Sequence, residues 1–215
     1  MRYYIYILTF VLLWLWWCTA TPPKPIAIPR APVSQTQFYF LWDSITAGYQ
    51  LPIEQSYPYI VWQKLNIKTI NAGKSWDTSK WLRDRLNWTI APANSGDVVF
   101  LLIWGNDWLQ SLSTAQLTQN IDYIINYILS KNLNIVLLWM QIPTNLDKKY
   151  ISDFESIYPS LAAKYKIKFL PDFLSGVWWI PDLNISDGIH PNFSWYNILA
   201  QKIVNFINTN NLLPN

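Results

Sequence analysis

The stretch Val98-Val99-Phe100-Leu101-Leu102-Ile103 is an unbroken apolar run, and Trp104-Gly105-Asn106-Asp107 follows it directly. Such a run is typical of a strand that is buried on both faces of a parallel sheet. Similar runs predict four more strands, at residues 38–41, 68–71, 134–140 and 166–170. Helix-like segments separate and follow them, at residues 57–65, 78–86, 114–130, 147–165 and 194–208. We therefore expect an α/β fold, a three-layer α/β/α sandwich around a doubly wound, roughly five-stranded parallel sheet.

Three segments follow predicted strands directly: Ser44, residues 73–76 and residues 104–107. In a doubly wound sheet, the functional site lies at the carboxyl ends of the strands. We therefore expect these segments, which are distant in sequence, to converge at one site.

His190 is the only histidine in the 215 residues, and Asp187 precedes it by three positions. A serine hydroxyl is a poor nucleophile unless a neighbouring base takes its proton. That base in turn needs a third group, usually a carboxylate, to hold it in the right tautomer. Ser44, His190 and Asp187 can fill these three roles. On these residues alone, a structural histidine in a turn beside a serine at a strand end fits equally well.

Four sequence blocks extend this pattern: Trp42-Asp43-Ser44-Ile45-Thr46-Ala47-Gly48-Tyr49, Asn71-Ala72-Gly73-Lys74-Ser75-Trp76-Asp77-Thr78, Trp104-Gly105-Asn106-Asp107-Trp108 and Asp187-Gly188-Ile189-His190-Pro191-Asn192. With these blocks in this order, the chain resembles the SGNH (GDSL-type) hydrolases, which have a flavodoxin-like fold. Within that family it is most similar to the branch of bacterial thioesterases/lysophospholipases and arylesterases.

The resemblance implies a serine esterase that hydrolyses acyl esters or thioesters such as lysophospholipids, short-chain esters or aryl esters. Ser44 would be the nucleophile, His190 the base and Asp187 its orienting carboxylate. The oxyanion hole would consist of the backbone N–H groups of Ser44 and Trp76 and the side-chain amide of Asn106. Residues 143–150 and 108–112 would be walls of the acyl pocket. No metal or other cofactor is expected.

Two other functions fit the same blocks. A carbohydrate O-acetyl esterase would use the same chemistry on an envelope polysaccharide. A catalytically inactive binding module would use exposed aromatic side chains as a platform for sugars or lipids, which requires that the tryptophans of the blocks are genuine.

The N-terminus predicts export. Residues 1–17 read as a signal peptide of the lipoprotein type, and an uncleaved membrane anchor is the alternative. Cys18, the only cysteine, would be the lipid attachment site, and residues 18–36 form a Pro-rich linker. The hydrolase domain would span residues 37–215. We expect a lipoprotein anchored on the outer face of the cytoplasmic membrane or in the cell envelope. A net charge of +3 without a basic stripe argues against nucleic acid as a partner, and we expect a monomer.

The tryptophan content is abnormal, because the chain has 14 Trp and only 6 Gly, whereas glycine is ordinarily about 7% of residues. In the first three blocks, tryptophan stands where the resembled family has glycine, at Trp42, Trp76, Trp104 and Trp108, and Trp195 does so in the pair Trp195-Tyr196 that follows the last block. The same holds for Trp81, Trp139, Trp178, Trp179 and the tryptophans before Cys18, whereas Trp62 and Trp88 stay undecided. We hypothesise that UGA codons for glycine are written here as tryptophan. The alternative is a genuinely Trp-rich protein. The hypothesis predicts backbone strain at these positions, and tryptophans that avoid the core.

Overall fold

The computed structural model describes residues 36–103, 105–142, 146–177 and 180–213. Its sheet has five parallel strands: β1 (Phe38–Leu41), β2 (Thr69–Asn71), β3 (Val98–Leu101), β4 (Asn134–Leu138) and β5 (Lys168–Leu170). Their spatial order is β2-β1-β3-β4-β5, and every neighbouring pair is parallel. The expected doubly wound, five-stranded parallel sheet is therefore confirmed.

Seven α-helices complete the described part of the fold: α1 (Ser44–Ala47), α2 (Tyr57–Leu65), α3 (Ser79–Ile90), α4 (Gly105–Leu109), α5 (Thr114–Ser130), α6 (Lys148–Tyr165) and α7 (Phe193–Thr209). Helix α2 packs on α7, whereas α3 packs on α5 and α5 on α6. The chain adds β2 on one side of β1 and the later strands on the other side. Because crossovers between parallel strands are right-handed, this change of direction places α2 and α7 on one face of the sheet and α3, α5 and α6 on the other.

The centre of the sheet is apolar on both faces, as the unbroken runs predict. All four residues of β1 and all four of β3 are buried. Phe40 of β1 stacks on Phe100 of β3, with ring centroids 4.7 Å apart. Burial of this kind contributes about 1.5–3 kcal/mol per large apolar side chain, so these strands form the core of the described domain.

The boundaries differ from the sequence expectation where tertiary contacts end an element. The strand predicted over 98–103 ends at Leu101, although Leu102 and Ile103 remain buried. The strand predicted over 166–170 begins at Lys168, because Lys166 has a left-handed backbone (φ 53°) that ends α6. The two short helices α1 and α4 were not predicted, since four or five residues are too few to show a helical period.

No helix in the described ranges is long and apolar enough to cross a membrane. The predicted signal peptide, Cys18 and all of the linker except Thr36 lie outside the described residues, so these assignments stay predictions.

Candidate active site

Ser44 lies just past the carboxyl end of β1, at the first position of α1. Asp43 caps this helix, because its Oδ1 accepts a hydrogen bond of 2.9 Å from the N–H of Ile45. Gly73, in the loop after β2, packs directly on α1: a Cβ atom there would lie 2.2 Å from the backbone nitrogen of Ala47. Only glycine permits this approach, which brings the second sequence block against the helix that carries Ser44.

His190 connects Ser44 to Asp187. Its Nε2 lies 2.9 Å from the Oγ of Ser44, and its Nδ1 lies 2.6 Å from the Oδ2 of Asp187. The other carboxylate oxygen of Asp187 accepts hydrogen bonds of 2.9 Å from the N–H groups of Ile189 and His190. The ring of Tyr49 packs on the imidazole at a centroid distance of 4.4 Å. The structure thus brings the three residues of the expected triad together in one chain of hydrogen bonds.

The environment of Asp187 favours its charged form. Partial burial acts to raise the pKa of this carboxyl, but the backbone N–H groups of His190 and Ile189 and the imidazole lower it below its usual range. A carboxylate that stays ionised can hold the imidazole in place and stabilise its protonated form.

The three residues expected to form the oxyanion hole line the same cavity. Asn106 lies in α4 and is 7% exposed. Its Nδ2 donates to the backbone oxygen of Asp77 at 2.8 Å and to the Oδ2 of Asp43 at 3.4 Å. Trp76 has a left-handed backbone (φ 68°), so the turn that presents its N–H is one that normally requires glycine.

Three buried aspartates lie behind these groups: Asp43, Asp77 and Asp107. Burial raises the pKa of Asp43 well above its usual range, despite the hydrogen bond from Ile45. Burial also raises the pKa of Asp77, although the guanidinium of Arg85 acts to lower it at 2.6 Å. The pKa of Asp107 is raised by burial too, although Ser79 donates to both of its carboxylate oxygens.

Sequence reasoning missed this network, since it assigned no partner to Asp77 or Asp107. The only available signal was that both residues belong to the blocks. Arg85 also donates to the backbone oxygens of Trp42 and Ala72, so it ties together the chain segments that leave β1 and β2. The network therefore holds the loops that carry Ser44, Trp76 and Asn106.

The cavity over Ser44 has a volume of about 350 Å³, which is near the lower end of ordinary ligand pockets. Its apolar lining residues include Tyr49, Trp76, Trp108, Leu109, Ile189 and Trp195. Within the expected wall 108–112, Trp108 and Leu109 line the cavity.

The second expected wall, residues 143–150, is wrong for its described part. Residues 146–150 do not line the cavity, because this segment begins α6 instead. Asp147 caps that helix, Leu146 packs against the core, and Tyr150 packs on Phe154. Residues 143–145 lie outside the described ranges.

The tryptophans divide into different structural classes. Among the described ones, only Trp76 has a positive φ, so the strain expected at the other described positions is absent. Trp42 and Trp195 are 1% exposed and belong to the core, so the expectation that these residues avoid it was wrong. Trp139 buries its indole nitrogen without a hydrogen-bond acceptor among the described residues. Trp104, Trp178 and Trp179 lie outside the described ranges.

Known proteins resemble this chain in sequence and in fold. Residues 40–197 match the GDSL-like lipase/acylhydrolase family. The chain is 32% identical over 156 residues to an arylesterase of Vibrio mimicus, an alignment that covers 70% of this chain and 78% of the relative. It is 31% identical over 165 residues to thioesterase 1/protease 1/lysophospholipase L1 of Escherichia coli (strain K12), covering 76% and 78% of the two chains. The crystal structure of AlinE4, an SGNH-hydrolase family esterase, is similar with a TM-score of 0.69 at 31% identity, covering 86% of this chain and 100% of the other.

Proposed function

Because this chain belongs to the GDSL-like lipase/acylhydrolase family and is an ester hydrolase, we propose that it cleaves acyl esters or thioesters by nucleophilic attack of Ser44. The observation that carries the proposal is the continuous chain of hydrogen bonds from the Ser44 Oγ through His190 to Asp187. A nucleophile, a base and an orienting carboxylate in this order are the parts that acyl transfer requires.

In the proposed reaction, the Ser44 Oγ attacks the carbonyl carbon while its proton passes to the Nε2 of His190. The tetrahedral intermediate collapses, and the imidazolium returns that proton to the departing alcohol or thiol. Water then attacks the acyl-Ser44 ester with His190 again as the base, which releases the acid and restores the hydroxyl. Donors from Ser44, Trp76 and Asn106 stabilise the oxyanion, and loss of one such donor costs about 2.7–4 kcal/mol of barrier.

The substrate class follows from the walls of the cavity. Apolar side chains from four segments surround Ser44 and His190, and this lining suits an acyl or aryl group better than a sugar. The names of the two relatives, arylesterase and thioesterase/lysophospholipase, support the same class. Removal of acetate from a polysaccharide, without hydrolysis of simple acyl esters, would replace this proposal by the carbohydrate O-acetyl esterase.

The test is substitution of Ser44 and His190. We expect that Ser44→Ala and His190→Ala each abolish hydrolysis of a 4-nitrophenyl ester while the melting temperature stays near that of the parent. Ser156→Ala is the matched control, since this exposed serine of α6 bonds only to the backbone oxygen of Asp153 among the described contacts. Undiminished hydrolysis by Ser44→Ala would exclude the mechanism.

A finer part of the proposal concerns the genetic code. UGA codons read as glycine account for the excess of tryptophan over glycine, and two structural observations support this reading. The backbone at position 76 is left-handed, and the indole nitrogen of Trp139 is buried without an acceptor among the described residues. A buried donor of this kind costs about 1–3 kcal/mol.

The gene and the native protein test this reading together. We expect TGA codons at positions 42, 76, 104, 108, 139 and 195, and glycine in the mass spectra of the corresponding peptides from the organism. TGG codons at these positions, or peptides that contain tryptophan, would exclude recoding. In that case the inactive binding module becomes the alternative to test, with ligand binding measured on the same protein.

The proposal for localisation rests on the N-terminal sequence alone. The chain would be exported and lipidated at Cys18, as a monomer tethered by the Pro-rich linker. Expression with a radiolabelled fatty acid should label the parent but not Cys18→Ser, and equal label in both would exclude this anchor.

A further inference from the structure

Three indoles line the cavity over Ser44, and each comes from a different segment. Trp76 belongs to the loop between β2 and α3, Trp108 to α4 and Trp195 to the first turn of α7. Trp76 is 63% exposed and forms part of the rim, whereas Trp195 is almost fully buried. The exposure of Trp108 is intermediate between those of Trp76 and Trp195. Since tryptophan is the largest side chain, these residues fill space beside the nucleophile that an acyl chain would otherwise take.

We propose that positions 76 and 108 determine the length of the acyl group: tryptophan there restricts the site to short acyl groups, and a small residue, such as the glycine that recoding would place there, admits longer ones. The inference rests on the proposed function of Ser44 and extends it to the length of the acyl group. With the indoles of Trp76 and Trp108 among its walls, the cavity has a volume of about 350 Å³, near the lower end of ordinary ligand pockets. Each methylene that gains burial is worth about 0.8 kcal/mol, which corresponds to about fourfold in kcat/KM.

The two positions act on the acyl group in ways that can be separated. Position 76 has a left-handed backbone, so Trp76→Gly removes the indole, relieves the backbone and keeps the N–H of the expected oxyanion donor. Trp108 lies in a helix without a positive φ, so Trp108→Ala removes only the wall. Trp195 is less suitable for a test, because truncation of a buried tryptophan costs about 3–5 kcal/mol of stability.

The preferred acyl length should depend on whether the codons at positions 76 and 108 are read as tryptophan or as glycine. A protein with tryptophan at positions 76 and 108 would be a short-chain esterase. The same chain with glycine there would accept longer acyl groups, of the kind that a lysophospholipid carries. The acyl-length profile therefore reports on residues that the triad geometry does not involve.

The experiment measures kcat/KM for 4-nitrophenyl esters from acetyl to dodecanoyl, using the full chain with tryptophan at all fourteen positions. We expect its optimum at a short acyl group, and optima at longer groups for Trp76→Gly and Trp108→Ala. The gain should be about fourfold for each methylene added to the optimum. Trp88→Ala is the matched control, since this tryptophan of α3 is 80% exposed and does not line the cavity.

Optima that stay unchanged in both variants, or that move equally in Trp88→Ala, would overturn the inference. A Trp76→Gly variant that gains the same factor at every acyl length would overturn it for that position, because the indole would then obstruct the chemistry rather than the chain. Failure of the proposed function looks different: hydrolysis would be missing in every variant, or would persist unchanged in Ser44→Ala.

Discussion

Asn106→Ala probes the expected oxyanion hole at the residue whose surroundings are best defined. One Nδ2 proton of Asn106 serves the backbone oxygen of Asp77 at 2.8 Å, which is a normal hydrogen bond. The other faces the Oδ2 of Asp43 at 3.4 Å, which is longer than the ordinary range. This second proton is therefore the one that can turn to an oxyanion when the tetrahedral intermediate forms.

The magnitude follows from these contacts. An oxyanion is a charged acceptor, so the lost hydrogen bond should be stronger than a neutral one. Removal of one such donor lowers kcat by about 100- to 1,000-fold, or about 2.7–4 kcal/mol. The alanine variant also leaves the buried backbone oxygen of Asp77 without this donor, at a cost of about 1–3 kcal/mol. For a domain of this size, that loss lowers the melting temperature by about 2–12 °C.

The assay is steady-state hydrolysis of a soluble aryl ester, with thermal unfolding measured on the same samples. Asn120→Ala is the matched control, because Asn120 is also 7% exposed and its Nδ2 donates to the Ser79 Oγ, but it does not line the cavity. We expect both variants to lose stability, and only Asn106→Ala to lose kcat with little change in KM. A kcat within about fivefold of the parent, or an equal loss in the control, would refute the assignment of Asn106.

Asp187, Asp43 and Arg85 can each be tested by one substitution. Asp187→Asn should lower kcat by about ten-thousand-fold without a change of fold, because the amide no longer holds the imidazole in the tautomer that accepts the proton of Ser44. Steady-state kinetics measure the loss, the melting temperature checks the fold, and a loss below about tenfold would contradict the role of Asp187 as the orienting carboxylate. Burial raises the pKa of Asp43, so the folded protein binds this proton more tightly than the unfolded chain does. The melting temperature should therefore gain from this group as the pH falls towards the ordinary aspartate pKa of about 3.9, and Asp43→Asn, which cannot take up the proton, should lack that gain. Arg85→Ala leaves the buried Asp77 carboxylate without its cation and should cost about 3–5 kcal/mol in denaturant unfolding, and a cost near zero would show that the pair does not hold the loops.

The sheet could be predicted from sequence because its strands are buried on both faces and therefore read as apolar runs. Helix α5 could be predicted to the residue, since Ile121, Ile124 and Ile128 recur at helical spacing and Ser113 and Gln116 form a capping box at its start. The start of β5 could not be predicted, because no sequence signal distinguishes Lys166 as the residue whose left-handed backbone ends α6.

The site was predictable to the extent that its chemistry is local. Asp187 and His190 share one turn, and the blocks with Ser44, Trp76 and Asn106 each follow a strand. Contacts between distant segments were not predictable, such as the bonds from Ser79 to Asp107 and from Arg85 to Asp77. These contacts depend on how α3 packs beside the loops after β2 and β3.

The sequence alone also could not show which tryptophans the fold accommodates. Sequence comparison within the blocks marked Trp42 and Trp195 as misplaced, but the core accommodates both indoles, with only 1% of each residue exposed. A motif position therefore predicts strain only where the backbone is left-handed, as it is at Trp76.

The proposed mechanism requires that Ser44 carries the acyl group during turnover. An organophosphonate that reacts with activated serines should modify the peptide that contains Ser44, and mass spectrometry of the digest locates the adduct. We expect one adduct on that peptide, none in Ser44→Ala and a strongly reduced yield in His190→Ala. An adduct on a different serine, or an unmodified Ser44 in a protein whose ester hydrolysis the reagent has blocked, would contradict it.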